Sequence, residues 1–413
     1  MKFVLSDENL SSSCKILKTD SKIRLLPLDQ IKDLLITDDN MSLILQQAIF
    51  QVLQPICDAK FNKHGYGFLY DRTYENAVAD LSSIINHCKL YNIIKLKIVD
   101  LYQKLNHNKL MRQLWAFGIH DKKLLQIIRS IFTNSSIHLN YDFINLIYNI
   151  MLNELDMRIE NMWNNHPLVY KYYIGHNKNG TEIKSSDYNA MRSHTLLKEV
   201  KFVRYKDEIL IMCRSFEDSK IIQESITKWI TKRLMLLCES SLVDIRKKYV
   251  DFGYLQFKAI HKGTNTNRKK RYVVVSKIGK MYLEELICNL HDRIKAIQHS
   301  KNIEDQAHKV FEYNKFVLKI HKQVEIATLV SKDMRRVSQV VSILFSNRLG
   351  NGRKGLRRSN VSKAQSKNMK IPSRYANSKQ LRFFKPTGQP IFPIGYVQFR
   401  IPHQKKVVPI ETR

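Results

Sequence analysis

A polar turn between two apolar segments, at residues 203–215, constrains this chain more than any other feature. The segment reads Val-Arg-Tyr-Lys-Asp-Glu-Ile-Leu-Ile-Met-Cys-Arg-Ser, and the acids Asp207 and Glu208 are adjacent within it. Magnesium prefers carboxylate oxygens as ligands. Two adjacent carboxylates are candidates for metal ligands, and the surrounding sequence decides whether that chemistry is present.

The turn resembles the Tyr-Ala-Asp-Asp strand-turn-strand of group II intron reverse transcriptases. Residues 205–208 read Tyr-Lys-Asp-Glu, so one aspartate is kept, the second is a glutamate and the small alanine is a lysine. In this family three carboxylates converge on the palm domain, one from an early strand and two from the turn. The resemblance implies that the two strands of the turn lie close to that early strand.

The early strand departs further from the family pattern. Residues 93–110 resemble Asp-Ile-Lys-Gly-Tyr-Phe-Asp-Asn-Val-Asn-His-Asn-Lys-Leu, whose end is kept at 106–110, but Lys97 stands where the first catalytic aspartate belongs. An ammonium inverts the local charge and binds no magnesium. We therefore predict that polymerase activity is lost, with Lys97, Asp207 and Glu208 as degenerate positions. We also expect an ion pair between Lys97 and Asp207 in place of the lost metal.

A second departure lies ahead of residues 149–156, where the family carries the loop Pro-Gln-Gly-Gly-x-x-Ser-Pro beneath the templating pair. Residues 138–145 read His-Leu-Asn-Tyr-Asp-Phe-Ile-Asn, without glycine or proline. The close backbone approach that glycine permits is thus unavailable. An active reverse transcriptase stays open as an alternative if another carboxylate, such as Asp100, replaces the missing ligand.

Other segments extend the resemblance along most of the chain. Residues 61–68 are close to the family's fingers pattern Phe-x-x-x-Ser-Tyr-Gly-Phe, and residues 313–333 resemble the thumb, or X (maturase), domain. The implied fold is α+β, with a reverse-transcriptase-like fingers-palm followed by an α-helical thumb/X domain and a basic tail. The implied divisions are an N-terminal lead-in at 1–21, a degenerate fingers/palm at 22–257, the X domain at 258–350 and the tail at 351–413.

The charge of the chain indicates a polyanionic partner, independently of the resemblance to any family. Its 413 residues carry 69 Lys and Arg against 37 Asp and Glu, a net charge of +32, and residues 334–410 contain no acid. Phosphate contacts with counterion release are the usual reason for such an excess.

No apolar run of about 18 residues and no signal-like start is present, so we expect no membrane partner. Six scattered cysteines predict buried, reduced thiols rather than a zinc site.

The candidate RNA contacts are cations and aromatic residues of the fingers, palm, X domain and tail. His321, taken alone, is equally typical of a satisfied core or cap residue, and a like-charge run is equally typical of a solvated tail. The candidates are Arg24, Lys63, Arg72, Arg192, Lys198, Lys319, His321, Lys322, Arg335, Arg336, Arg348, Arg353, Lys354, Arg357, Arg358, Tyr375, Arg382, Phe383 and Phe384.

Apolar spacing gives a coarse set of elements. It predicts helices at 47–56 (ending at Pro55), 110–132 (palm core around Trp115), 216–237 and 278–297, strands at 251–257 and 272–275, a loose lead-in at 1–21 and a polar loop at 163–192.

These observations predict a maturase that assists splicing of a group II or related group III intron. It would bind no cofactor itself, with magnesium held by the partner intron RNA. No endonuclease module is expected, and a homodimer is left open. Abundant Ile, Lys, Asn and Tyr with few Gly and Pro indicate an AT-rich genome, which fits an organelle but is shared by many bacteria. The expected location is an organelle, the plastid before the mitochondrion, with a bacterial cytoplasm as the lesser alternative. The alternatives are a residual RNA-directed DNA polymerase and a general organellar RNA-binding protein.

Overall fold

The computed structural model of the protein divides into two compact units, Met1–Asp244 and Ile245–Arg413. The four-part division expected from the sequence stays a prediction; its boundary at 257/258 falls inside a strand of the second unit. The structure describes residues 3–17, 39–67, 72–99, 101, 105–133, 137–166, 179–180, 191–193, 195–264, 270–349, 356–358, 371, 381–384 and 388–395.

The first unit mixes helices with one five-stranded sheet. Its elements are α1 (Asp7–Leu17), α2 (Asp39–Asp58), β1 (Gly65–Tyr66), α3 (Tyr74–Cys88), β2 (Asn92–Val99), α4 (His107–Ala116), α5 (Lys122–Thr133), α6 (Tyr141–Glu160), β3 (Val200–Tyr205), β4 (Glu208–Cys213), α7 (Phe216–Trp229) and β5 (Leu237–Asp244), with a π-helical turn at Ile230–Leu234.

The sheet has the order β1-β3-β4-β2-β5. Its β2-α6-β3-β4-α7-β5 part is the split β-α-β arrangement, because β4 lies between the parallel strands β2 and β3. Alternate residues such as Ile94, Leu96 and Ile209 form a core with α6 and α7 on one face. The opposite residues of these strands, among them Lys97 and Glu208, therefore lie on the other face.

The helices α1, α2, α4, α5 and α6 share a second core within the first unit. The N-terminal lead-in is helical rather than loose, because Val4 and Leu10 are buried there and Asn9 donates to the Ala48 carbonyl at 3.0 Å. The predicted helix at 47–56 is confirmed, but it continues to Asp58 with Pro55 inside it. A proline removes one hydrogen-bond donor, and here one turn of helix continues beyond it.

The second unit contains two three-stranded sheets and three helices among the residues that the structure describes. Its elements are β6 (Val250–Phe252), β7 (Leu255–Thr264), β8 (Lys270–Ile278), α8 (Lys280–Gln298), α9 (Ile303–Val324), α10 (Ser331–Leu349), β9 (Leu356–Arg358), β10 (Arg382–Phe384) and β11 (Pro390–Ile391). The helix α8 packs against both α9 and α10 through residues such as Leu286, Leu290 and Ile294.

Several predicted elements are confirmed and others are corrected. The helical pattern at 110–132 forms α4 and α5, while the predicted helix at 216–237 ends early and is followed by β5. The single strand expected at 251–257 is a hairpin, because Gly253 (φ 55°) turns the chain between β6 and β7. Most of the loop at 163–192 lies outside the described residues. None of the described helices is long and apolar enough to cross a membrane.

Five of the six cysteines have described side chains, and all five are free thiols. Cys57 and Cys213 are buried as expected, whereas Cys88 and Cys238 are half-buried and Cys288 is exposed. Burial raises the pKa of the Cys57 and Cys213 thiols to about 12. These two thiols are therefore protonated at neutral pH and poor nucleophiles.

Candidate nucleic-acid interface

The strand-turn-strand predicted at 203–215 is confirmed. The strands β3 and β4 pair from Val200 with Cys213 to Tyr205 with Glu208, and the chain reverses at residues 206–207. Lys206 adopts a left-handed backbone conformation with φ 57° at this reversal. Its amide donates to the Tyr66 carbonyl at 2.9 Å, which fixes the turn against β1.

The early strand lies beside this hairpin, as the resemblance implied. In β2, Lys97 is directly opposite Glu208 of β4 on one side and Glu239 of β5 on the other. Directly opposite residues of antiparallel strands share a face and have Cβ atoms about 5 Å apart. The three residues form a cross-strand row in which a lysine stands between two glutamates.

The expected ion pair between Lys97 and Asp207 is wrong for the part of the chain that the structure describes. The pair that forms joins Lys95 Nζ to Glu208 Oε1 at 3.5 Å. The Asp207 backbone carbonyl accepts from the Ile98 amide at 3.0 Å. Strand pairing therefore places Glu208, not Asp207, opposite Lys97, and the Glu208 carboxylate pairs with the diagonal neighbour Lys95.

The described residues of this row are a poor donor set for a pair of magnesium ions. Two such ions need converging carboxylates, and in this row Lys97 stands between Glu208 and Glu239. Across 3–17, 39–67 and the other described ranges, no cluster of three or more His, Cys, Asp or Glu is arranged to hold a metal.

Beneath the hairpin lies a buried ionic network centred on Arg204. The Arg204 side chain is 2% exposed and that of Asp156 is fully buried. Arg204 Nη2 donates to Asp156 Oδ2 at 2.7 Å, Nε donates to the same carboxylate at 2.9 Å, and Nη2 also reaches Asn149 Oδ1 at 3.1 Å. The multiple bonds satisfy both charges, which burial requires.

The same network holds the fingers-like segment at 61–67. Asn153 Oδ1 accepts from the Asn62 amide at 3.0 Å, and Asn149 Nδ2 donates to the Gly67 carbonyl at 3.3 Å. A Cβ on Gly65 would lie 2.8 Å from Arg204 Nη2, so the absence of a side chain allows this close approach. Gly65, which stands where the family pattern has a serine, therefore serves the packing of β1 against β3.

Sequence reasoning missed this network, although a signal for it exists. Asn149, Asn153, Asp156 and Glu160 recur at spacings of four, three and four along helix α6. Such spacing places polar residues on one helix face. All four are buried, and three of them bind the fingers-like segment or β3.

Several predicted RNA contacts have exposed side chains. Lys63 lies in the first unit, while Lys319 and Lys322 lie on α9 and Arg335 and Arg336 lie on α10. These five residues stay candidates for phosphate contact. In the second unit, four of them occupy the helices predicted to form the X domain.

Other predicted contacts are engaged within the protein. Arg72 donates to the Asn62 and Gly65 carbonyls, Arg192 forms two bonds with Glu199 (2.6 and 2.9 Å), and Lys198 lies 2.6 Å from Asp218. Arg348 donates to Gln298 Oε1 at 2.9 Å and also contacts His291. These side chains hold the fold together, and contact with a ligand would compete with those bonds.

Two predicted contacts are buried. His321 has no exposed surface, and its Nε2 lies 2.8 Å from the Ile394 carbonyl; Phe383 is 1% exposed. Asn314 likewise bonds both the Pro390 carbonyl (2.6 Å) and the Phe392 amide (2.9 Å). The segment resembling the X domain thus holds residues 390–394 through hydrogen bonds from Asn314 and His321. Because His321 and Phe383 are buried, they act in packing rather than in stacking on bases.

The remaining candidates lie outside what the structure describes. They are Arg24, Arg353, Lys354 and Tyr375, together with the side chains of Arg357, Arg358, Arg382 and Phe384.

No protein-family model and no curated protein sequence matches this chain. Among solved structures, it matches telomerase from Candida albicans in complex with the TWJ fragment of telomeric RNA, at 10% sequence identity and a TM-score of 0.32. The match covers 85% of this chain and spans 58% of the length of that chain. Function is therefore inferred from the chain's own residues.

Proposed function

We propose that the protein is an RNA-binding scaffold that assists intron splicing and lacks polymerase chemistry, a degenerate group II or group III intron maturase. The observation that carries the proposal is the cross-strand row of Glu208, Lys97 and Glu239. The turn and its neighbouring strand keep their mutual arrangement, while the position of a metal ligand holds an ammonium. A net charge of +32 supports RNA as the partner.

The proposal assigns different roles to the intron RNA and to the protein. The intron RNA, with its own magnesium, carries out transesterification, and the protein supplies cations that reduce repulsion between phosphates. A protein shifts an RNA folding equilibrium only by its difference in affinity for the two RNA conformations. The groups proposed to recognise the folded intron are the exposed lysines and arginines of α9 and α10 and the tail, whose residues 351–410 contain no acid. An organellar location, the plastid first, belongs to the same proposal, and a homodimer stays open.

Splicing of intron transcripts with and without the purified protein tests the proposal. Candidate group II and group III introns would be incubated at low magnesium, where the ribozyme alone folds poorly. We expect faster accumulation of ligated exons with the protein present. Unchanged splicing of every intron bound by the protein would contradict a maturase function.

Primer extension on an RNA template distinguishes the proposal from the first alternative, a residual RNA-directed DNA polymerase. With magnesium or manganese, the proposal predicts no extension above a no-protein control. Extension abolished by Asp207→Asn would instead assign RNA-directed DNA polymerase activity. The carboxylate suggested to replace Lys97, Asp100, lies outside the described residues.

The second alternative is a general organellar RNA-binding protein, which the net charge alone would equally support. Crosslinking in the source cells followed by RNA sequencing distinguishes the two. Intron-enriched reads support the maturase, and reads spread over ribosomal or messenger RNA support the general protein.

A further inference from the structure

An exposed aromatic pair stands at the end of α4. Trp115, expected to be core, is 46% exposed, whereas Trp163 is fully buried. The Trp115 and His120 rings lie 4.4 Å apart at 37°, and His120 Nε2 bonds the Trp115 carbonyl at 3.1 Å. The histidine covers part of the indole and holds it in place, and the indole keeps a large accessible surface.

The exposure of Trp115 follows from how α4 and α5 pack. They form an antiparallel hairpin whose inner residues, such as Leu110, Leu114 and Ile128, belong to the core. Arg129 of α5 reaches back to Asn108 Oδ1 at the start of α4, at 3.3 Å. Trp115 therefore lies outside the packed seam, on a face that the described part of the first unit leaves open.

Exposed cations lie close to Trp115 in the sequence. Arg112 precedes Trp115 by three residues on the same helix face. Arg112, Lys122 and Lys123 are exposed and have no hydrogen-bond or ion-pair partner among the residues that the structure describes. Asp121, the one nearby acid in the sequence, caps α5 by accepting from the Leu124 amide at 3.1 Å.

We propose that Trp115, with Arg112 and the lysines at the start of α5, is a stacking platform for an unpaired RNA base and its flanking phosphates. An indole face stacks on any base, and adjacent cations bind the backbone, which is how single-stranded RNA is recognised. The inference rests on the proposed RNA-binding function and adds a site in the first unit. None of these residues was among the predicted RNA contacts.

Charge favours RNA over a protein partner as the occupant. A helix binding in a protein–protein groove would meet an apolar surface, whereas the exposed residues near Trp115 on α4 and at the start of α5 include Arg112, Lys122 and Lys123. A partner protein with an acidic surface is the competing occupant. Duplex RNA is also disfavoured, because its stacked bases offer no face to the indole.

The test measures binding of the full-length protein to a 12-nucleotide oligouridylate and to an RNA duplex of equal length. Trp115→Ala should weaken oligouridylate binding about tenfold, as expected for loss of one stacked base, and leave duplex binding unchanged. Trp115→Phe should retain most of the affinity. In the wild type, oligouridylate should quench the exposed component of tryptophan fluorescence, and Trp115→Phe should abolish that quenching.

Two control variants keep the outcome interpretable. Phe216→Ala removes an exposed aromatic residue (41%) that also has a cation over its ring, Lys220, but is followed by two acids, Glu217 and Asp218. Lys228→Ala removes a cation that pairs with Glu224. Both variants should bind oligouridylate like the wild type, whereas Arg112→Ala should bind more weakly.

Wild-type affinity in Trp115→Ala, together with unquenched fluorescence in the bound wild type, would overturn the platform while leaving RNA binding intact. Failure of the wild type to bind either RNA would overturn both the platform and the proposed function. Capture of an acidic protein through Trp115, with oligouridylate binding unaffected, would replace RNA by that partner.

Discussion

Arg204 and Asp156 show how a single buried pair fixes several elements. The two side chains connect α6 to β3, and Arg204 Nη1 also donates to the Lys206 carbonyl at 3.2 Å. Both charges are removed from water, so each depends on the other for compensation. Loss of one partner leaves an uncompensated charge beneath the turn.

We expect Asp156→Ala to lower the free energy of unfolding by about 3–5 kcal/mol, because it leaves the Arg204 guanidinium buried and unpaired. Urea denaturation followed by circular dichroism measures the change. The double variant Asp156→Leu with Arg204→Met should recover much of the loss, because both charges are then absent. A single variant as stable as the wild type would show that the pair is not buried in solution.

Lys97 separates two carboxylates at the sheet surface. Lys97→Asp places like charges opposite Glu208 and Glu239, and each such pair costs up to about 1 kcal/mol. We expect a lower melting temperature than in Lys97→Met, which removes the cation without adding an acid, and no gain in splicing. Restored primer extension in Lys97→Asp would contradict the account of a lost active site.

The resemblance of short segments was sufficient to predict that the strand of Lys97 lies beside the turn of Asp207 and Glu208. It did not predict which of these side chains pair. The ion pair of Lys95 with Glu208 depends on strand register and side-chain rotamers, which no local pattern specifies. Trp115 was expected in the core because its helix is amphipathic, and only the packing of α4 on α5 shows which face it occupies.

At the scale of elements, Glu154 connects three segments of the first unit. Its carboxylate contacts Lys109 of α4 at 2.5 Å, Gln113 at 3.0 Å and Arg233 of the π-helical turn at 2.7 Å. Burial acts to raise the pKa of Glu154, but hydrogen bonds from Lys109, Arg233 and Gln113 outweigh it and hold the pKa below its ordinary value. The ionised form is thus favoured by folding.

Because the folded pKa is depressed, Glu154 stabilises the fold above the unfolded carboxyl pKa of about 4.3 and loses that effect as the pH falls through the folded value. Glu154→Gln should therefore destabilise the protein at pH 7, with a smaller difference below about pH 4. Urea titrations at both pH values measure this. Glu224→Gln, at an exposed pair with Lys228, is the control and should change little. An equal loss for Glu154→Gln at both pH values would contradict the role of its charge.

The turn at Gly67 depends on the absence of a side chain. Gly67 has φ 75°, and an added Cβ would lie 2.8 Å from Lys206 Cγ and 3.1 Å from the Lys206 amide nitrogen. Gly180 has φ 77° but nothing within 4 Å. The two glycines therefore share a backbone conformation and differ in their surroundings.

Gly67→Ala should destabilise the protein more than Gly180→Ala. The left-handed conformation costs an L-residue about 1–2 kcal/mol at either position, and only Gly67→Ala adds the clash with Lys206. Thermal unfolding of the two variants measures the difference. Equal melting temperatures would indicate that β1 does not pack closely against the hairpin.

Elements with strong local signals were predictable, and those formed by tertiary packing were not. The β3–β4 hairpin and α4 follow from their sequences, and Asn106 of the kept Asn-His-Asn-Lys-Leu caps α4 by accepting from the Lys109 amide at 3.0 Å. Helix α1 has weak periodicity and is held by contacts with α2. The split β-α-β order of the sheet depends on pairings between distant segments, which propensity does not encode.

For the whole molecule, the excess of 32 positive charges is the property from which function is inferred. The described surface of α9 and α10 carries exposed Lys319, Lys322, Arg335 and Arg336. The tail follows them, and its residues 351–410 contain no acid. A surface of this sign attracts polyanions over the distance of a Debye length, about 8 Å at physiological salt. RNA binding should therefore weaken steeply as salt is added.

The salt dependence of affinity for intron RNA, in the wild type and two variants, tests the central claim most directly. Replacing Arg353, Lys354, Arg357 and Arg358 by Ala should weaken binding and reduce the slope of log affinity against log salt by roughly 0.7–0.9 per lost phosphate contact. Asp207→Asn with Glu208→Gln should change neither binding nor splicing. If that acidic-site variant abolished splicing while the tail variant bound normally, the protein would be a metal-dependent enzyme and not a scaffold.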